Sequence, residues 1–312
     1  MKTSTTNLHT HTGEPSRQDI YTRVTERIIA DLERGVRTWV QPWSAEHAAG
    51  KITRPLRHNG TPYSGINVLM LWSSAVAAGF AAPIWMTYRQ SVELGGHVRK
   101  GEKGSPVVYA NFLTRTETDE ATGEDTEREI HYMKSYTVFN VEQIEGLPAP
   151  YYAKPEPRFN PMQRIEHAEE FFAALKSDIR HGGTRAYYAQ ESDYIRMPPF
   201  EAFQDAESYY ATLAHESTHW TKHPSRLDRE FGRKHWGDEG YAQEELVAEL
   251  GAAFLCADLE LALQPREDHA AYIAHWLQVL RNDKRAIFRA AAHAQRAADH
   301  LHKLQPSLTE AA

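Results

Sequence analysis

Residues Ala211 to Trp220 read Ala-Thr-Leu-Ala-His-Glu-Ser-Thr-His-Trp. On a helix, His215 and His219 leave the same face one turn apart, so both imidazoles can close on one metal ion. Glu216 stands beside them. This is the HExxH arrangement, in which two neutral imidazoles hold Zn²⁺ or another divalent metal and the Glu accepts a proton from the water that the metal activates. The bland alternative is that a chain with 17 histidines sets two at helical spacing by accident. The flanks argue against accident. Tyr209, Tyr210, Leu213 and Ala214 supply the apolar groups of a helix buried well enough to position a metal. Pro224 and Ser225 end that helix soon after the second His.

A catalytic zinc needs a third protein ligand and an open fourth position. Downstream, residues 241–255 form a strongly apolar helical stretch with acids at Glu244, Glu245 and Glu249. Carboxylates on so apolar a helix are costly unless paired or metal-bound. Glu245 and Glu249 share a face, so one can bind the metal while the other holds a ligand His from behind. In the gluzincins, which this pattern resembles, a ligand Glu is followed four residues later by an acid. That resemblance assigns Glu245 to the metal and Glu249 to the shell behind it. The reverse assignment stays open, as does the reading of two ordinary solvated or capping acids. His223 is a rival ligand, but proline follows it, and metzincin spacing calls for His where Ser225 stands.

The elements that must position these residues lie in a chain of 312 residues, long enough for two domains with a core in each. No stretch approaches the roughly 20 apolar residues of a membrane span, and the N-terminus lacks a signal-peptide core. The expectation is a cytoplasmic protein with no membrane partner. One cysteine, Cys256, excludes an intramolecular disulfide and a Cys-based zinc site, and its apolar neighbours predict burial. The net charge of −7 is unevenly distributed: residues 34–115 carry +7, residues 117–129 hold seven acids, and residues 151–312 carry −6.

Residues 1–16 read as a disordered tail. Apolar residues at helical spacing predict helices over 18–34, 66–79 and 88–94. The period then changes. Strands are expected around the basic turn 99–104 and over 130–141, with the acidic stretch 117–129 as a hairpin tip. Five prolines from Pro148 to Pro161 mark a linker. Beyond it, helices are expected over 162–176, 269–280 and 285–304, with two short strands at 186–189 and 194–197. The fold class is therefore α+β in two domains: 17–147, a linker over 148–161, and a mainly helical unit over 162–305.

A basic region with interleaved aromatics suits single-stranded DNA, since cations neutralise phosphates and aromatic faces stack on bases of any identity. Candidate contacts are Arg54, Arg57, Arg89, Arg99, Lys100 and Lys103 for phosphate, and Trp43, Tyr63 and Trp85 as stacking groups in exposed loops. The competing reading makes most of these aromatics core and the charged tip merely solvated.

These segments together resemble the ArdC antirestriction family of conjugative plasmids from about Tyr21 to His302. The resemblance runs through Pro42-Trp43, Tyr63-Ser64-Gly65-Ile66-Asn67, Trp85-Met86-Thr87-Tyr88-Arg89-Gln90, Gly95-Gly96-His97-Val98-Arg99-Lys100-Gly101-Glu102-Lys103, Val138-Phe139-Asn140, Glu244-Glu245-Leu246-Val247-Ala248-Glu249-Leu250 and Asn282-Asp283-Lys284-Arg285-Ala286-Ile287. It implies an N-terminal domain that binds single-stranded DNA, a C-terminal zincin-like metallopeptidase domain, and protection of incoming plasmid DNA from host restriction. Two readings follow: a DNA-tethered peptidase acting on an unknown host protein, or a DNA-binding antirestriction module whose metal site is structural or unused for cleavage. A general base at Glu216 favours the first, because a structural site has no use for one.

Overall fold

The computed structural model describes residues 19–34, 54–118, 125–152, 161–232, 239–261 and 269–306. The tail 1–16, Trp43 and residues 153–160 of the expected linker lie outside them.

Helix α1 (Ile20–Glu33) starts where the Asp19 side chain accepts from Thr22 N at 2.9 Å, and buries the stripe Val24, Ile28, Ile29 and Leu32. Strand β1 (Leu56–Arg57) leads into α2 (Ile66–Ala78), apolar nearly all round and closed by Gly79 at φ 72°. Then come β2 (Ile84–Thr87) and α3 (Tyr88–Glu93), whose start is fixed by a reciprocal capping box between Thr87 and Gln90. The remaining N-terminal strands are β3 (His97–Val98), β4 (Ser105–Thr118), β5 (Asp125–Asn140) and β6 (Ile144–Glu145). The main sheet has the order β1-β2-β5-β4, with β1 and β2 parallel and the other pairs antiparallel. β4 and β5 form one long hairpin from Ser105 opposite Val138 to Thr118 opposite Asp125.

The basic turn 99–104 does not join paired strands. β3 pairs with β6 in a separate two-stranded sheet, while β4 pairs with β5.

The C-terminal domain begins with α4 (Pro161–Ala174) and a three-stranded sheet of β7 (Asp178–His181), β8 (Tyr187–Ala189) and β9 (Tyr194–Met197), in the order β7-β9-β8. Four helices follow: α5 (Ala206–Trp220), α6 (Glu239–Leu259), α7 (His269–Asn282) and α8 (Ala286–Lys303). Among the described residues, no helix is long and apolar enough to cross a membrane.

The two domains share a core. One apolar cluster takes Ile28 from α1 and Leu69 and Trp72 from α2 together with Phe254, Leu280, Ile287 and Ala291 from the C-terminal helices. Polar groups stitch the same seam: Thr25 Oγ1 donates to Lys284 O at 2.6 Å, and Arg281 pairs with Glu33.

Arg54 is the central stitch. Its guanidinium grips both oxygens of Asp258 at 2.7 Å, donates to Gln295 Oε1 at 2.7 Å, and lies 4.9 Å over the Phe254 ring. Asp258 also meets His302 Nε2 at 3.0 Å. Arg54 is therefore a buried interdomain residue rather than a phosphate contact.

Candidate metal centre

Helix α5 carries the HExxH residues, and the Asp205 side chain caps its start by accepting from Ser208 N at 2.7 Å. From Tyr209 to Trp220 every residue is buried, so the helix has no freedom to rotate its metal-binding face. Helix α6 packs against it through a close approach at Gly251. A Cβ there would meet Thr218 Cγ2 at 2.5 Å and Oγ1 at 2.6 Å, so glycine lets the two helices come near enough for acids of α6 to reach imidazoles of α5.

The result is a convergence of acceptors. His219 Nε2 lies 3.2 Å from His215 Nε2, and the Glu245 carboxylate stands 3.4 Å from the first and 3.5 Å from the second. One ligand atom from each of the three residues lies within 4.8 Å of the others. The opposite ring nitrogens face other carboxylates: His219 Nδ1 meets Glu244 Oε1 at 2.9 Å, and His215 Nδ1 lies 3.2 Å from Glu249 Oε1. A carboxylate behind each ring favours the Nδ1–H tautomer and leaves Nε2 as a lone pair aimed at its neighbours. In that tautomer two imidazole lone pairs and a carboxylate converge on one point, a donor set that fits a divalent metal.

Of the two acids that could serve as ligand, it is Glu245 whose oxygens face both Nε2 atoms, while Glu249 stands behind His215. Glu216 is buried in the turn between the two histidines. His223 is half-buried, bonded to Ser225 Oγ at 2.7 Å, and is not part of the cluster.

Two groups complete the site that sequence reasoning did not assign. Glu244 holds His219, and Arg229 holds Glu244 through Nε and Nη2, each at 2.8 Å. Arg229 also donates to Thr221 Oγ1 at 3.0 Å and Thr218 O at 2.9 Å, tying the segment after α5 back onto its last turn. Burial pushes the Glu244 carboxyl up, but the bonds from Arg229 and His219 outweigh it and hold it at about 2. Burial also acts to raise Glu245, and positive charge on His219 and His215 more than reverses this, taking it well below the usual carboxylate range; with both rings neutral, that charge falls to a cation held between them. A carboxylate so strongly favoured in its ionised form suits a neighbouring positive charge. The acids on the apolar helix were a visible signal for Glu244; Arg229 had none, since it lies on irregular chain with no spacing to mark it.

The proposed DNA contacts divide. Trp85 is 1% exposed, on the interior strand β2 with its ring edge-on to Phe80 at 5.7 Å, and Tyr63 is buried beneath Arg57, whose guanidinium lies 5.3 Å over its ring. Neither can stack on a base without unpacking the core, so both leave the set along with Arg54. Arg57, Arg89, Arg99, Lys100 and Lys103 are exposed, with Arg89 paired to Glu93 and Arg99 to Glu102.

Comparison with known proteins covers nearly the whole chain. The model for the N-terminal domain of anti-restriction factor ArdC matches residues 18–139, and that for zincin-like metallopeptidases matches residues 166–293. The uncharacterized protein y4eC of Sinorhizobium fredii is 44% identical over 292 residues, which cover 92% of each chain. The DNA primase TraC of Escherichia coli is 39% identical over 298 residues, covering 91% of this chain but 27% of TraC. Crystal structures of the antirestriction protein ArdC from the R388 plasmid, one metal-free and one Mn(II)-bound, superpose with a TM-score of 0.76 each. They are 49% and 46% identical, over 92% and 93% of this chain and 98% and 99% of theirs.

Proposed function

Because the chain belongs to the ArdC antirestriction family, we propose that it binds single-stranded DNA through its N-terminal domain and carries a working metallopeptidase site in its C-terminal one. The observation that carries the second half is the paired set of imidazoles, each with a carboxylate behind it and a lone pair in front, closed by Glu245. His215, His219 and Glu245 would hold the ion. Two nitrogens and one oxygen are a donor set that zinc takes readily, and the R388 relative has been crystallised with Mn(II). A divalent ion held there supplies Lewis acidity toward a peptide carbonyl.

The remaining work falls to the chain. Glu216, adjacent to His215, takes the proton of the attacking water and hands it to the leaving nitrogen. Glu244 and Glu249 keep the rings oriented, and Arg229 keeps Glu244 ionised. The substrate is a host protein close to entering DNA, and the exposed cations Arg57, Arg89, Arg99, Lys100 and Lys103 hold the strand by neutralising phosphates.

The test is protection of an unmodified plasmid entering a restricting cell, comparing wild type with Glu216→Gln and His219→Ala at matched expression, with folding and DNA binding checked in each. Loss of protection in both variants supports the peptidase. Full protection by Glu216→Gln with none by His219→Ala would make the metal structural and overturn the catalytic reading.

A further inference from the structure

The hairpin of β4 and β5 carries aromatic groups that lie outside the buried core. In its register Val107 stands opposite Tyr136, Tyr109 opposite Lys134, and Asn111 opposite Tyr132. Directly opposed residues share a face, and so do alternate residues along each strand, so these six positions form one surface. At its base this face is core: Val107 and Val138 are buried. Opposite Val107, Tyr136 is 45% exposed, and one step farther out Tyr109 is 47% exposed with Lys134 exposed across from it. The outer groups are held in place. Asn111 Nδ2 donates to the Tyr109 hydroxyl at 2.7 Å, and Lys134 Nζ lies 5.2 Å over the Tyr132 ring.

Charge is sorted by the same register. Arg115 and Arg128 stand opposite each other at positions that continue this face, whereas the positions of Asp125, Glu127 and Glu129 fall on the other. Of the strand acids, Glu117 alone shares the tyrosine face by position. By register, then, the acidic stretch divides between the two faces of the hairpin.

We propose that this face is a stacking platform for single-stranded DNA, with Tyr109 and Tyr136 under successive bases and Lys134 at a phosphate. Tyr109 and Tyr136 are diagonal neighbours across the two strands, roughly 7–8 Å apart, a spacing that an extended single strand can follow base by base. Stacking on tyrosine tolerates any base, so the platform gives grip without sequence preference. The inference rests on the reading of the protein as a single-strand binder and names the surface that does it.

The test uses the full-length protein and a fluorescently labelled oligothymidine, titrated by anisotropy at two salt concentrations. Tyr109→Ala and Tyr136→Ala should each raise Kd roughly fivefold or more, and the corresponding Phe variants should stay within about twofold of wild type, because the ring and not the hydroxyl does the stacking. Lys134→Ala should instead flatten the salt dependence by about 0.7 in log–log slope, the signature of one phosphate lost. Both tyrosines are exposed, and an unchanged melting temperature confirms that each variant is folded. Wild-type binding that neither alanine variant weakens would overturn the platform while leaving single-strand binding intact. No binding by wild type at low salt would sink the underlying reading as well. A variant that loses self-association without losing DNA affinity would reassign the face to a second copy of the chain.

Discussion

Removing Glu244 tests the metal centre at the point where orientation and stability meet. The carboxylate serves two masters: it holds His219 Nδ1 at 2.9 Å, and it neutralises Arg229, whose side chain is 1% exposed. In Glu244→Ala the guanidinium keeps Thr221 Oγ1 and Thr218 O but loses its counter-charge, and breaking a buried pair from one side costs about 3–5 kcal/mol. Losing the group behind a ligand His costs roughly 10- to 100-fold in metal affinity. The two losses separate in a double variant. Glu244→Leu with Arg229→Met replaces the pair by apolar groups of similar volume, which is often close to neutral in stability, yet leaves His219 without its partner. Urea unfolding in the presence of chelator, so that bound metal adds nothing, measures the first quantity, and competition with a chelating dye measures the second. The single variant should lose both; the double should regain stability and still bind metal weakly. A double variant with wild-type metal affinity would show that Glu244 serves Arg229 alone and that the orientation argument is wrong.

Metal analysis of His215→Ala and His219→Ala should find most of the bound ion gone, while Glu216→Gln retains it; full occupancy in both histidine variants would refute the ligand assignment. Arg54→Ala leaves the Asp258 carboxylate with His302 but without its guanidinium, so stability should fall by about 3 kcal/mol, read from guanidinium unfolding; a loss under about 0.5 kcal/mol would show the interdomain clamp to be inert. Gly251→Ala forces a methyl against Thr218 and should cost about 1–3 kcal/mol and weaken metal binding, with Thr218→Ala in the same chain recovering part of each.

Local sequence marked the helices of the candidate site well and their tertiary partners poorly. The HExxH helix and the acid-bearing apolar helix were legible because spacing along a helix fixes which residues share a face. The order in which β2 enters the sheet was not, and that order decides the fate of Trp85: a four-residue strand after Ala-Ala-Pro looks like exposed loop until β1 and β5 close on either side of it. Arg54 had the same limit. A guanidinium serves a phosphate or a buried carboxylate equally well, and the Asp258 that claims it lies 204 residues away in sequence. Strand β7, Asp-Ile-Arg-His, went unseen because Ile179 is its one apolar residue, and its pairing with β9 supplies what its composition lacks. The basic turn beside β4 does lie between strands, as its flanks predict, but pattern alone did not say what those strands pair with. Their partners, β6 and β5, come later in the chain.

The seam between the domains bears on how this pair has been passed on. Packing of α1 and α2 against the C-terminal helices, with Arg54 reaching across to Asp258, means that either half cut out alone would expose an apolar surface and strand a buried charge. Genetic exchange that split them would therefore be penalised at folding, before any question of activity arose. The region matched in TraC, about a quarter of that much longer protein, takes in 91% of this chain and so includes both halves together. Wherever this architecture is transplanted, the cut points belong outside residues 20 and 303, where the first described helix begins and the last one ends.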